Sequence, residues 1–273
     1  MLPRPHPLNR GFEWTDHAGP RRRLTPDQTR GFDERGFVVL EGIFDASEVA
    51  DVTAALDPLE AEVESFLQSR DGGRAFIARA GEITFTPHAV QRSERARAFC
   101  GGAVFQDLVH DLIGPNVRLY WDQAVYKKPG ADDPFPWHQD NGYTYVEPQE
   151  YLTCWVALTD ATEENGCPWV VPGLHRRGTL AHEMTDLGWV CLNDPQDAVA
   201  APVRAGGVVL FSSLTPHATG PNHTDEVRKT YIVQFAPEGA EVLSPRADGP
   251  PLRTPANAPD RQFPVLVGGR SPA

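Results

Sequence analysis

The chain has no Cys-x-x-Cys pair, and its four cysteines, Cys100, Cys154, Cys167 and Cys191, are scattered. That spacing excludes a zinc ribbon and a thioredoxin-like redox motif. Cys154 and Cys167 sit in apolar runs and read as buried thiols. No G-x-S-x-G and no G-x-x-x-x-G-K-[ST] occurs, which removes the usual serine-hydrolase and phosphate-loop signatures. No run of about 18 apolar residues is present, so no membrane span is expected. The opening MLPRPHPLNRGFEW has no apolar core of the kind a secretory signal carries, and a cytoplasmic setting is the simplest expectation. Basic charge is scarce: 25 Lys and Arg stand against 37 Asp and Glu, a net charge of −12. Nucleic-acid binding needs clustered cations against phosphate, so a nucleic-acid partner is not expected, nor is an anionic membrane surface. The run Arg21-Arg22-Arg23 reads as a solvated face.

What is present is length enough for one large core, 273 residues at 40% hydrophobic. Residues 1–24 are rich in Pro, Arg and Gly and read as an irregular, partly mobile arm. Thr25, Pro26 and Gln28 then form a capping-box start for a helix over about 26–35, stopped by Gly36. FVVLEG reads as a strand. A second helix is expected from Phe44 to Gln68, capped by Ser47 and kinked or broken at Pro58. GRAFIARAG and EITFTP read as strands. Residues 92–113 read as helical, with a break at Gly101-Gly102.

From Val117 the pattern turns to β. VRLYWDQAVYKKPG, YLTCWVALTDAT, NGCPWVVPG, GGVVLFSS and VRKTYIVQFAP are strand-like segments joined by Gly, Pro and Asn turns. Residues 176–200 are less regular and suit a lid. TPHATGPNHT reads as a loop, and residues 238–273 as an irregular, loosely packed tail. Helices first and short strands after suggest a mainly β, jelly-roll or cupin-like fold buttressed by N-terminal helices. The expected organisation is an arm over 1–24, one domain over 25–237 and a tail. Within that domain, 25–116 is the mostly helical part and 117–237 the β core.

The chemistry gathers on PFPWHQDNGY, residues 134–143. In an extended strand, residues two apart point to one face, so His138 and Asp140 would converge on one metal. The best third ligand is the distant His217. Two histidines and one carboxylate with positions left open form the facial triad of non-haem Fe(II) oxygenases. His88, His110, His175, His182 and His223 read as structural or exposed. Arg228 follows His217 by eleven residues, at the start of an apolar strand, where a guanidinium could grip a carboxylate bidentately.

HQD, NGCPWVVPGLH and H-x-T-G-x-N with its trailing Arg228 together resemble the phytanoyl-CoA dioxygenase family, Fe(II)- and 2-oxoglutarate-dependent oxygenases. The resemblance spans about residues 25–237 and includes the opening LTPDQTRGFDERGFVVLEGIF. It implies a double-stranded β-helix with His138, Asp140 and His217 as iron ligands. It implies that Arg228 binds the distal carboxylate of 2-oxoglutarate, helped by Thr219, Gln123 and Trp155. Related halogenases carry a small residue where Asp140 stands, so the carboxylate favours hydroxylation or a kindred oxidation.

The implied activity oxidises an unactivated C–H of a small-molecule metabolite with O2, releasing succinate and CO2. Acyl-CoA specificity does not follow, since the acidic chain offers no obvious surface for CoA phosphates. Trp137, Tyr143, Tyr145 and Trp169 are candidates for the substrate pocket. The alternatives are a non-catalytic cupin-like metal- or ligand-binding protein and a metal-dependent hydrolase or isomerase on the same scaffold. Arg228 speaks against both. Monomer and homodimer stay open.

Overall fold

The computed structural model describes residues 3–246 and 248–272. Among the described residues, a nine-stranded sheet faces a four-stranded one. The large sheet runs in the order Phe37–Leu40, Val208–Ser212, Leu152–Ala157, Arg228–Pro237, Val117–Lys127, Ile83–Pro87, Ala78–Arg79, Arg74–Ala75, with Pro264–Leu266 also beside Val117–Lys127. The smaller sheet runs Val199–Ala200, Pro168–Val170, His217–Thr219, Phe135–His138. All pairings are antiparallel. This is the expected jelly roll, mainly β with flanking helices.

The central strands are buried on both faces, and alternation assigns each face its partner. In Leu152–Ala157, Cys154 and Val156 pack with the helices, whereas Trp155 and Ala157 face the space between the sheets. In Val208–Ser212, Val208 and Leu210 turn to the helices, Val209 and Phe211 to the interior. A one-residue slip would exchange the two sets, and with both faces apolar it is the fit of these particular side chains that holds the register. The helical layer supplies Val52, Leu56 and Leu59 from Ala46–Gln68 and Phe105, Leu108 and Val109 from Ala103–Leu112. In Arg228–Pro237, Tyr231, Val233 and Phe235 join that layer. Arg228, Ile232 and Gln234 consequently point inward, where they line a cavity.

The first helix is Pro26–Arg35, with the Thr25 and Gln28 capping box formed and Gly36 left-handed at φ 83°. A Cβ on Gly36 would sit 2.5 Å from both His175 Nδ1 and Thr215 Oγ1, so only glycine lets the helix end pack there.

Several expectations need correction. Asp45, not Ser47, caps Ala46–Gln68: its carboxylate accepts from the Ser47 and Glu48 backbones. The helix runs unbroken through Pro58, because Leu56 and Leu59 on either side are anchored in the core. The tail is not irregular: Glu241–Ser244 pairs with Tyr145–Glu147, Leu252–Pro255 pairs with Glu241–Ser244, and Pro264–Leu266 pairs with Val117–Lys127. Val265 and Leu266 are buried at 1%. Most of the 25–116 segment is helical as expected, and its strands Phe37–Leu40 and Ile83–Pro87 join the large sheet. Residues 3–24 do lack helix or extended strand, but Asp111 accepts from the backbone of Arg22, Arg23 and Leu24 and fastens the end of this arm.

His175 and His182 make folding pH-dependent. Burial holds both near 4, below their ordinary 6.5. The unfolded chain takes up protons at these residues near pH 6.5, and the folded chain refuses them until about pH 4. Stability from them is complete above pH 6.5 and is lost as pH falls toward 4, at up to about 1.4 kcal/mol per pH unit for each. Urea midpoints of the metal-free protein should therefore drop between pH 7 and 5, and His175→Gln should flatten that drop by about one proton. An unchanged slope in His175→Gln would show that this histidine is not held neutral.

Candidate active site

His138 closes the strand Phe135–His138, and His217 opens His217–Thr219; the two lie directly opposite in the antiparallel pair. Their ring centroids are 4.1 Å apart. His138 Nδ1 donates to Pro136 O at 2.8 Å and His217 Nδ1 to Thr215 O at 3.0 Å. Carbonyls only accept, so each Nδ1 carries a proton, and the neutral ring then presents its Nε2 lone pair. Burial and the neighbouring His217 hold the His138 imidazole well below its ordinary range.

Asp140 begins the helical turn Asp140–Tyr143 and is not on an extended strand. The turn still brings Asp140 Oδ1 to 3.8 Å from both Nε2 atoms. The loop reading of His217 is likewise corrected: that residue is on a strand, paired on one side with His138 and on the other with Val170. One ligand atom from each of His138, Asp140 and His217 lies within 4.8 Å of the others. Two lone pairs and a carboxylate facing one point repel each other unless a cation stands between them. The donor set therefore fits a divalent metal of the imidazole- and carboxylate-binding kind.

The cavity beside this cluster has a volume of about 620 Å³. Arg228 lines it, 1% exposed, and its Nε, Nη1 and Nη2 have no hydrogen-bond partner. Its Cζ stands 5.2 Å from the Trp155 ring centre. Burial lowers the guanidinium to about 10, yet leaves it cationic at neutral pH. A buried, unpartnered cation is costly in a folded protein and marks a place for an anion. Lys127 lies opposite Arg228 in register and donates to Gly220 O at 2.5 Å and Asp133 O at 3.2 Å. Burial and Arg228 together bring its amine down to about 7.

Comparison with known proteins gives this geometry a family. The profile described as Phytanoyl-CoA dioxygenase (PhyH) matches residues 32–230. The chain belongs to the phytanoyl-CoA dioxygenase family.

A mouse relative, phytanoyl-CoA dioxygenase domain-containing protein 1, is 29% identical over 81% of this chain and 93% of its own. A probable alpha-ketoglutarate-dependent hypophosphite dioxygenase of Stutzerimonas stutzeri is 25% identical, over 90% of this chain and 86% of its own. Among solved structures, the epimerase SnoN in complex with Fe3+, alpha ketoglutarate and nogalamycin RO superposes with TM-score 0.67 at 25% identity, covering 88% of this chain and 97% of that one. The chemistry of this phytanoyl-CoA dioxygenase family member is that of a non-haem iron, 2-oxoglutarate-dependent dioxygenase. No helix among the described residues is long and apolar enough to cross a membrane.

Of the other residues singled out in the sequence, Gln123, Thr219, Trp155 and Tyr143 line the cavity. Trp137, Tyr145 and Trp169 do not. Trp137 neighbours the inward-facing His138 and so turns to the opposite face, against the cluster around Val171 and Leu180. Trp169 pairs with Ala218 and packs against the apolar cluster around Phe37 and Ala201, away from the cavity lining. Tyr145 lies beyond the helical turn and stacks on His6 at 4.8 Å. The 176–200 segment holds a hairpin, Glu183–Thr185 with Gly188–Val190, whose Trp189 lines the cavity; Cys191 and Leu192 are buried beneath.

Sequence reading missed the residues that hold the ligands. Gln139 and Asn141, interleaved with His138 and Asp140, bond away from the metal cluster. The Gln139 amide donates to Leu214 O at 2.5 Å, and its Oε1 accepts from Leu180 N at 2.6 Å. The Asn141 amide donates to Thr179 Oγ1 at 2.7 Å. His182 Nε2 accepts from Gln139 N at 2.9 Å, and a Cβ on Gly142 would reach 1.9 Å from that imidazole. The run H-Q-D-N, polar at every position, was the available signal.

Thr153 donates to Asp140 Oδ2 at 2.6 Å and accepts from Gln234 Nε2 at 3.2 Å, leaving Oδ1 free to face the histidines. Thr153→Val should weaken Fe(II) binding about 10–100-fold, the usual cost of losing a group that orients a ligand. A metal titration with unchanged affinity would show that Asp140 needs no such support.

Proposed function

We propose that His138, Asp140 and His217 hold Fe(II), and that Arg228 seats the distal carboxylate of 2-oxoglutarate with Thr219, Gln123 and Trp155 around it. In this reading the protein oxidises an unactivated C–H bond of a small-molecule metabolite and releases succinate and CO2. One observation carries it: a fully buried, unpartnered guanidinium lines the same cavity as the histidine–carboxylate cluster. A site that only stored metal, or used it for hydrolysis, would have no use for that guanidinium.

Bound iron supplies the oxidising power, drawn from O2 as 2-oxoglutarate loses CO2. The chain's own residues do the rest. The backbone carbonyls of Pro136 and Thr215 accept from each Nδ1, which fixes the ring orientation and aims both Nε2 atoms at one point. Thr153 holds Asp140 to a single outward oxygen. The Trp155 ring, against the Arg228 guanidinium, fixes the plane in which a carboxylate is received. Asp140 fills the ligand position with an anionic side chain, which supports oxygenation over halogenation.

The test is oxygen-dependent succinate release from Fe(II)-loaded protein and 2-oxoglutarate, screened against a library of small metabolites. Release above the substrate-free background is expected with at least one compound and should vanish in His138→Ala. Release that persists in His138→Ala would dismiss the reading.

A further inference from the structure

Taking Asp140 for the metal and Arg228 for the co-substrate, we infer that the substrate is an uncharged, largely hydrocarbon, ring-bearing molecule, bound without any ionic anchor. The inference rests on the function proposed above and adds the substrate's chemical class.

Apart from the two metal-facing histidines, Asp140 and Arg228 are the only Asp, Glu, Lys, Arg or His side chains among the described residues that line the cavity. Once both are engaged, no cation remains for a carboxylate or phosphate and no anion for an amine. Burying such a charge in an apolar wall without a partner is heavily unfavourable. The remaining wall is aromatic on two sides. Phe85 and Trp121 come from the large sheet; Phe135, Tyr143 and Trp189 face them from the smaller sheet and the turns beside it. Phe85 and Phe135 meet at 5.6 Å between ring centres, Phe135 and Tyr143 at 6.3 Å, and Phe135 abuts His138 at 4.8 Å. The aromatic surface thus reaches the metal ligands without a polar interruption.

The lining at the outer end is apolar too, with the guanidiniums of Arg70 and Arg74 beside the mouth, over the Phe66 ring and on the Phe76 carbonyl, and not in the cavity lining. Phe66 and Phe76, both lining the cavity, are 52% and 60% exposed. Large apolar side chains left open together at the mouth of one cavity are where an apolar ligand enters. A volume of about 620 Å³ falls within the range of about 300–1,000 Å³ that holds drug-sized ligands. It leaves room for a fused-ring molecule beside a small dicarboxylate. Hydrogen bonding for orientation is available from the Tyr143 hydroxyl and the Thr144 side chain, both uncharged.

Three probes of one ring system test this: 2-naphthol, 2-naphthoate and (2-naphthylmethyl)trimethylammonium. Binding is read at neutral pH as quenching of tryptophan fluorescence, with protein loaded anaerobically with Fe(II) and 2-oxoglutarate. The neutral probe is expected to bind at least tenfold more tightly than either ion. Phe76→Arg, at an exposed position, should improve naphthoate relative to naphthol by about tenfold. Naphthol that fails to bind, or an ion that binds as tightly, overturns the inference; a cation that wins would mark an aromatic cage instead.

The same series on Arg228→Met separates this from the proposed function. With no guanidinium, preference for the neutral probe should hold whether or not 2-oxoglutarate is present. If it holds while wild type fails to bind 2-oxoglutarate, the co-substrate reading alone has failed. If wild type binds 2-oxoglutarate and the preference is missing, the substrate class is wrong.

Discussion

Replacing Arg228 with Met is expected to raise the melting temperature of the ligand-free protein and, at the same time, to abolish its response to 2-oxoglutarate. The two effects have one cause. Arg228 is 1% exposed, and none of its three nitrogens has a partner. Desolvating an unpaired ion costs several kcal/mol even after local relaxation. Met is close in length, fills the space against Trp155 and carries no charge. A gain on the order of 1–4 kcal/mol is the expected scale for such a replacement. Binding moves the other way. Removing one partner of a buried, hydrogen-bonded charge pair costs about 2–5 kcal/mol, which weakens 2-oxoglutarate by roughly thirty- to several-thousand-fold. Differential scanning fluorimetry with and without 2-oxoglutarate reads both. An Arg228 that serves the fold would give the opposite result, a lower melting temperature in Arg228→Met.

Asp140→Ala is expected to remove the stabilisation that Fe(II) confers. In wild type, metal at about 1,000 times its dissociation constant should add about 4 kcal/mol to folding. Losing one of three ligands should weaken Fe(II) by more than the roughly 10–100-fold that follows loss of an orienting group. The metal-free variant should be no less stable than wild type, because Asp140 Oδ1 faces two imidazole lone pairs at 3.8 Å. Succinate release should fall to background. An Asp140→Ala protein still stabilised by Fe(II) as strongly as wild type would place the metal elsewhere.

The difference between what the chain discloses and what it conceals has physical reasons. The His138–Asp140 spacing, the distant His217 and Arg228 are visible because few residue types bind metal or grip carboxylates. The route that brings Asp140 to the histidines is not visible, since the helical turn at Asp140 depends on Gln139 and Asn141 bonding to residues far along the chain. Trp137 was excludable: the alternation that turns His138 inward turns its neighbour outward. Thr153 carries no local signal, because its contact with Asp140 is made only when the chain folds back on itself. Composition alone makes the tail look irregular. Its strands are short and set between Pro- and Gly-rich turns, and their order comes from Tyr145–Glu147 and Val117–Lys127, which offer ready-made edges. Local propensity predicts a break at Pro58, and the packing of Leu56 and Leu59 carries the helix across it.

The most direct measurement is an anaerobic titration of the protein with Fe(II) and 2-oxoglutarate, followed by visible absorption. Joint binding at His138, Asp140, His217 and Arg228 predicts a weak metal-to-ligand charge-transfer band. The band should saturate with both components in wild type, disappear in His217→Ala, and require far more 2-oxoglutarate in Arg228→Met. A band that never forms in wild type, or that persists unchanged in His217→Ala, would contradict the site.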